Sequence, residues 1–158
     1  MERFIIFSSN NQDFAVNISH VEKIIEFKTP NPIPESSDYL LGVIKYNDKI
    51  LPVVNLSKKL YNVNSNYDEN DKVIVIMWKD TYLGLAVDDI IGIRGYEDKQ
   101  LEDAVMNTQI SKEYVIGFIK AEEGITIVLD TDKIFNIEQE NEILSSTEVE
   151  DYIIGDDE

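Results

Sequence analysis

Tyr39-Leu40-Leu41-Gly42-Val43-Ile44-Lys45 returns 75 residues later as Tyr114-Val115-Ile116-Gly117-Phe118-Ile119-Lys120. The match runs without a gap from 39–60 onto 114–135, and seven of its 22 pairs are identical. Upstream, residues 2–24 match 71–93 at an offset of 69, again without a gap. Phe14, Val16, Ile18, Val21 and Ile24 fall on Leu83, Leu85, Val87, Ile90 and Ile93, so each apolar position keeps its partner. The six extra residues of the second copy fall in the connection after Ile93. Two long copies in the same order are a duplication, not a solenoid.

Each copy is strand-like. Phe4-Ile5-Ile6-Phe7 is rich in β-formers, and Phe14, Val16 and Ile18 alternate on one face. From Ser19 to Ile25 the period changes. Ile18, Val21, Ile24 and Ile25 fit one helical face, which predicts a short helix capped by Asn17 or Ser19. Three prolines between Thr29 and Pro34 predict an extended loop. Asn47-Asp48, between Gly42–Tyr46 and Lys49–Val54, suits a two-residue hairpin turn. Pro52 predicts an edge or a bulge for the second of these strands. Leu56 to Leu60 fits a helical turn, and Asn62 to Asp71 reads as a polar loop between the halves.

A unit of roughly 65 residues can close as a five-stranded barrel but buries too little surface alone. The expected fold is therefore all-β: two pseudo-symmetric barrels sharing a hydrophobic seam, formed by residues 2–60 and 71–135. Val73-Ile74-Val75-Ile76-Met77-Trp78, apolar on both faces, is the candidate seam strand.

Charge narrows the function. With 14 basic against 31 acidic residues the net charge is −17, which disfavours nucleic acid and anionic membranes as partners. Nine acids and no base lie between Glu138 and Glu158, so residues 138–158 read as an acidic, flexible tail after a domain of residues 1–137. Tyr152-Ile153-Ile154 is an apolar island in it that either frays or docks on a partner. No targeting segment or membrane span is visible after Met1-Glu2-Arg3, and a cytoplasmic location is expected.

Catalytic chemistry is poorly supplied. The chain has no cysteine and a single histidine, His20. There is no G-x-S-x-G elbow, P-loop or dinucleotide fingerprint. Asp68-Glu69-Asn70-Asp71 resembles the start of a calcium loop but has Lys72 where a ligand should follow. Asp88-Asp89 is a carboxylate pair, yet neighbours on a strand point to opposite faces. No cofactor and no metal is expected.

Taken in order, Phe14-Ala15-Val16-x-Ile18-x-x-Val21-x-x-Ile24, Gly42-Val43-Ile44, Ile50-Leu51-Pro52-Val53-Val54-Asn55-Leu56, Gly84-Leu85-Ala86-Val87-Asp88, Tyr114-x-x-Gly117 and Ile127-Val128-Leu129-Asp130 resemble the CheW family of chemotaxis coupling proteins. The resemblance covers residues 2–137. It implies two SH3-like five-stranded barrels and a non-catalytic adaptor. Its partners would be the tips of chemoreceptors (methyl-accepting chemotaxis proteins) and the regulatory domain of the histidine kinase CheA, which has the same fold. The length leaves no room for the response-regulator domain of a CheV-type fusion. By matched position it implies receptor contact at Val21, Gly42, Val43, Asn47, Gly84 and Val87, in an apolar groove between the barrels. Kinase contact falls at Ile90 and Ile93. Asn47-Asp48 stands where the family usually has Arg-Gly, and Asn55 replaces the usual Asp. Two other readings are a small-barrel hydrolase using paired carboxylates and a scaffold of this fold with other partners.

Overall fold

The computed structural model describes residues 1–103, 112–121 and 124–149. Its strands are β1 (Glu2–Ser9), β2 (Gln12–Asn17), β3 (Val21–Glu26), β4 (Leu40–Tyr46), β5 (Lys49–Asn55), β6 (Lys72–Trp78), β7 (Thr81–Val87), β8 (Asp89–Tyr96), β9 (Leu101–Asp103), β10 (Val115–Ala121) and β11 (Gly124–Leu129). Two α-helices, α1 (Leu56–Tyr61) and α2 (Ile137–Ser145), follow β5 and β11. Tight turns join three antiparallel pairs, β1–β2, β4–β5 and β6–β7. Asn10-Asn11, Asn47-Asp48 and Lys79-Asp80 all have both residues at positive φ, the conformation that matches strand twist in a two-residue hairpin.

The strands form two SH3-like barrels, but the barrels are not the two halves of the sequence. One sheet has the order β3-β6-β7-β5-β4 and the other β8-β1-β2-β11-β10-β9. Each barrel takes two strands from one repeat and the rest from the other. The contiguous barrel spans residues 21–87. The composite barrel joins the N-terminal hairpin to the C-terminal strands. The repeat survives in the registers: Ile24 lies opposite Ile74 as Ile93 lies opposite Ile5, and Gly42 opposite Val53 as Gly117 opposite Val128. Closure is also shared. After β3 the chain crosses β4 at an Asn31–Val43 bridge, and after β8 it pairs with β10 as β9, which makes the composite sheet six-stranded rather than five. A Cβ on Gly42 would collide with the Asn31 carbonyl oxygen, and one on Gly117 with that of Glu102. Only glycine lets the crossing chain approach so closely.

The largest core lies between the barrels. Ile5, Phe7, Phe14 and Val16 of the composite barrel pack with Ile74, Ile76, Trp78, Leu83, Leu85 and Val87 of the contiguous one. β6 is the seam strand: Val73 and Val75 turn into the contiguous barrel's own core, Ile74, Ile76 and Trp78 into the shared one. Met77 departs from the expected buried run and is 48% exposed.

Three local expectations need correction. Residues 19–25 are not a helix: a 3-10 turn over Ile18–His20 leads directly into β3, because Val21, Lys23, Ile24, Ile25 and Glu26, three of them β-branched, find a ladder on β6. Pro52 lies in a strand with neighbours on both sides, β4 and β7. The β7 pairing starts at Val53, so its missing N–H falls where that side is unpaired. Part of the acidic tail is ordered. Asn136 and Gln139 form a reciprocal cap at the start of α2, where Glu138 and Glu140 also suit the helix dipole. Ile143 is fully buried in the shared core. Lys79 pairs with Glu140 at 3.3 Å. Ser37 donates from its backbone N–H and hydroxyl, both at 2.6 Å, to the Glu142 carboxylate. Residues 150–158, with the Tyr152-Ile153-Ile154 island, lie outside the described residues.

Candidate interaction surface

Residues opposite each other across a ladder share a face of the sheet. Val21 lies opposite Ile76 and Ile24 opposite Ile74; Ile90 lies opposite Phe7 and Ile93 opposite Ile5. All four partners are in the shared core. The outermost strands β3 and β8 therefore carry the apolar margins of the seam. Val21, Ile24 and Ile90 pack half-buried against that core, while Ile93 is 51% exposed.

The predicted site residues divide accordingly. Val21, Ile90 and Ile93 reach the surface on these margins. Asn47 is exposed at its hairpin tip with φ 46°. Gly42, Val43, Gly84 and Val87 do not form a contact surface. Val43 and Val87 are fully buried, Gly42 faces the crossing chain at Asn31, and a Cβ on Gly84 would press on Val73. Their positions serve packing, as alternating valines in a two-sided core usually do. Beside Asn47, burial, then the charges of Glu22 and Tyr82, raises the phenol of Tyr46. The Tyr46 hydroxyl is buried without a hydrogen-bond partner among the described residues. Its ring meets Tyr82 edge-on at 5.9 Å, and the Lys49 ammonium stands 5.4 Å from the Tyr82 centroid.

Sequence reasoning missed several exposed apolar side chains, namely Ile91 (39%), Ile116 (50%) and Ile125. Ile91 and Ile116 are bulge residues. β8 places Gly92 opposite Ile6 and Ile90 opposite Phe7, leaving Ile91 without a partner. β10 leaves out Ile116 in the same way. Their repeat mates are Glu22 and Leu41, which bulge at the corresponding points of β3 and β4. The charge difference between Glu22 and Ile91 was visible in the offset alignment and is the signal that marks them.

Among the described residues the candidate catalytic groups do not converge. Asp88 accepts a hydrogen bond from the Asn10 N–H at 2.8 Å and stands close enough to the Tyr67 phenol to help burial push it up to about 12, while Asp89 is exposed on the next strand. His20 is exposed, with Nδ1 3.4 Å from the Thr131 hydroxyl. Among the described residues no group of three His, Cys, Asp or Glu side chains is placed to hold a metal, and no helix is long and apolar enough to cross a membrane. Asn55 uses both ends of its side-chain amide. Its oxygen accepts from the Lys58 N–H and the Tyr67 hydroxyl, and its amide donates to the Ser65 carbonyl, tying the inter-repeat loop to α1.

Among the described residues the polar groups of this fused double barrel serve caps, turns and loops, and its seam margins are apolar. The family model for the CheW-like domain matches residues 3–139, and the chain belongs to the CheW family, a family of non-catalytic scaffold proteins. It is 30% identical over 128 residues to the chemotaxis protein CheW of Thermotoga maritima, covering 81% of this chain and 83% of that one. It is 23% identical to the chemotaxis protein CheW of Bacillus subtilis, covering 87% and 88%. The crystal structure of the scaffolding protein TtCheW from Thermoanaerobacter tengcongensis has the same fold, with a TM-score of 0.79 at 20% identity over 87% of this chain and 90% of that one.

Proposed function

We propose that the protein is a cytoplasmic chemotaxis adaptor that couples the tips of methyl-accepting chemotaxis proteins to the regulatory domain of the histidine kinase CheA. The observation that carries this reading is the pair of apolar seam margins on β3 and β8, in a family of scaffolds. A receptor tip is a helical hairpin, and a helix docks by laying an apolar stripe into a groove. The β3 margin at Val21 and the hairpin tip at Asn47 are assigned to the receptor. The β8 margin, with Ile90 and Ile93, is assigned to the kinase domain.

Calorimetry with a receptor signalling fragment and the kinase regulatory domain tests the assignment. Val21→Lys should weaken receptor binding about tenfold or more, because the docked helix would desolvate a charge. Ile93→Lys should do the same to kinase binding. Both variants should keep the wild-type circular dichroism spectrum. Absence of binding by either fragment to the unmodified chain would sink the reading, and unfolding of Val21→Lys would show Val21 to be core.

A further inference from the structure

Residues 150–158 read Glu150-Asp151-Tyr152-Ile153-Ile154-Gly155-Asp156-Asp157-Glu158: three large apolar side chains flanked by five acidic ones. A surface that fits this segment offers hydrocarbon and positive charge together. Such a surface is scarce on a chain with 14 basic against 31 acidic residues.

One cavity offers both. It has a volume of about 380 Å³ and lies between the β6–β7 turn and Lys49 at the start of β5. Met77, 48% exposed, and Tyr82 supply its apolar wall. Lys49 and Lys79 stand there against a single carboxylate, that of Asp80. Trp78 also lines the cavity, and its indole N–H is buried with no acceptor among the described residues. A second cavity, of about 490 Å³, is lined by Glu26, Asp68 and Glu69 with Lys28 as its one cation, and it repels an acidic segment.

The chain is led to the first cavity and ends within reach of it. Glu140 on α2 pairs at 3.3 Å with Lys79 of the cavity wall. From Glu140, the rest of α2 and the 3-10 turn over Ser146–Val149 carry the backbone at most about 16 Å further. The segment after Val149 extends to about 30 Å, enough to return to Lys79 and Lys49.

We propose that residues 150–158 turn back on their own molecule and dock in this cavity. Tyr152-Ile153-Ile154 covers Met77 and Tyr82, and the flanking carboxylates face Lys49 and Lys79. The segment also brings carbonyl and carboxylate oxygens to the Trp78 N–H, a donor that is costly to bury unpaired. Docked, it lays negative charge beside the Asn47-Asp48 tip, to which Lys49 is joined. The proposal goes beyond the adaptor reading and does not rest on it.

The chain has one tryptophan, so the Trp78 indole N–H gives a single nuclear-resonance signal from the cavity wall. Spectra of the full chain are compared with those of a chain ending at Val149. Removal of residues 150–158 should move the indole signal and the amide signals of Met77, Lys79 and Tyr82. In the full chain, Lys49→Glu should move the indole signal toward its position in the shortened chain. Tyr152→Ser, Ile153→Ser and Ile154→Ser together should do the same. Raising the salt to about 1 M should shrink the difference between the full and shortened chains, because the carboxylate–lysine attraction is screened. An indole signal that is the same with and without residues 150–158 overturns the docking, as do changes centred on Ile91 and Ile93 of β8. A difference that vanishes on dilution, with a dimer in sedimentation, puts the segment on a second copy and overturns it as well.

Discussion

The two barrels share a strand plan, registers and even the positions of their bulges, yet they meet solvent differently. The contiguous barrel exposes one large apolar side chain from its strands, Met77. The composite barrel exposes Ile91, Ile93, Ile116 and Ile125. Tyr39 and Leu40, leading into the contiguous barrel's β4, are buried, while their repeat mates Tyr114 and Val115 are half-buried. Part of the cause is α2, which fastens Glu142 to Ser37 and Tyr39 and drives Ile143 into the shared core. On the other side Lys59 stands over Tyr114, its ammonium 2.7 Å from the hydroxyl and 4.4 Å from the ring centroid. A duplication supplies two equivalent surfaces; here the strands of one expose a single large apolar side chain and those of the other four.

The shared core sets the limit of that independence, so its loss should have the largest effect. Phe14→Ala, deep in the seam, is expected to destabilise the protein by about 3–5 kcal/mol. Urea unfolding should remain a single transition; a biphasic curve would show that the barrels melt separately and break the comparison. Next comes the crossing chain. Gly42→Ala forces a Cβ against Asn31 at φ 139°, costing about 1–3 kcal/mol in backbone strain before the collision is counted. Gly117→Ala meets a similar collision at Glu102 without the positive φ, so its melting temperature should fall less.

Removing the fastening of α2 should follow. Glu142→Ala leaves the Ser37 donors without their acceptor and is expected to cost about 1–3 kcal/mol, with faster proteolysis near α2. Ile116→Ser on the open barrel should leave stability unchanged. Alkaline titration separates the same regions more finely. Burial pushes the phenols of Tyr39 and Tyr67 up to about 12, against 10.0 in the unfolded chain. Stability is complete below pH 10, where both states hold the protons. It falls from pH 10 to about 12, where the unfolded chain releases them first. Tyr39→Phe and Tyr67→Phe should each flatten that decline in denaturant titrations. The smallest effect is expected of Asn47→Arg, at an exposed tip. It should leave the melting temperature alone and change affinity only for a partner with an acidic contact surface. An unchanged affinity for both fragments, measured at low salt, would remove the tip from any interface.

Much of this architecture was legible in the residues. The gapless repeat, the alternating faces and the Asn47-Asp48 turn follow from side-chain period and allowed φ, which are local properties. The exchange of strands was not legible, because alternation says which face is buried and not which copy buries it. β3 was misread for a related reason: Ile18, Val21, Ile24 and Ile25 satisfy a helical period, and only the ladder offered by β6 decides for a strand. Matched position alone puts Val43 and Val87 among contact residues, whereas their burial depends on the crossing chain and the seam, which no local pattern contains. In the C-terminal run the count of acids concealed a capped helix whose one fully buried residue, Ile143, ties it to the core.

The exchange of strands also orders events during synthesis. β3 to β7 form the contiguous barrel from one stretch of chain, and all of its strands have been synthesised once residue 87 is added. The β1–β2 hairpin precedes them, and its permanent neighbours β8 and β11 end at Tyr96 and Leu129. At ordinary translation rates the hairpin waits on the order of ten seconds with Phe4 and Ile6 lacking the partners that later bury them. A ribosome that stalls between the repeats leaves that apolar hairpin in solution, a template for the next nascent chain. The same topology has a geometric corollary: two separate copies of the repeat, each lending its first hairpin to the other, would carry this strand order as a dimer, with the loop from Asn62 to Asp71 as the join.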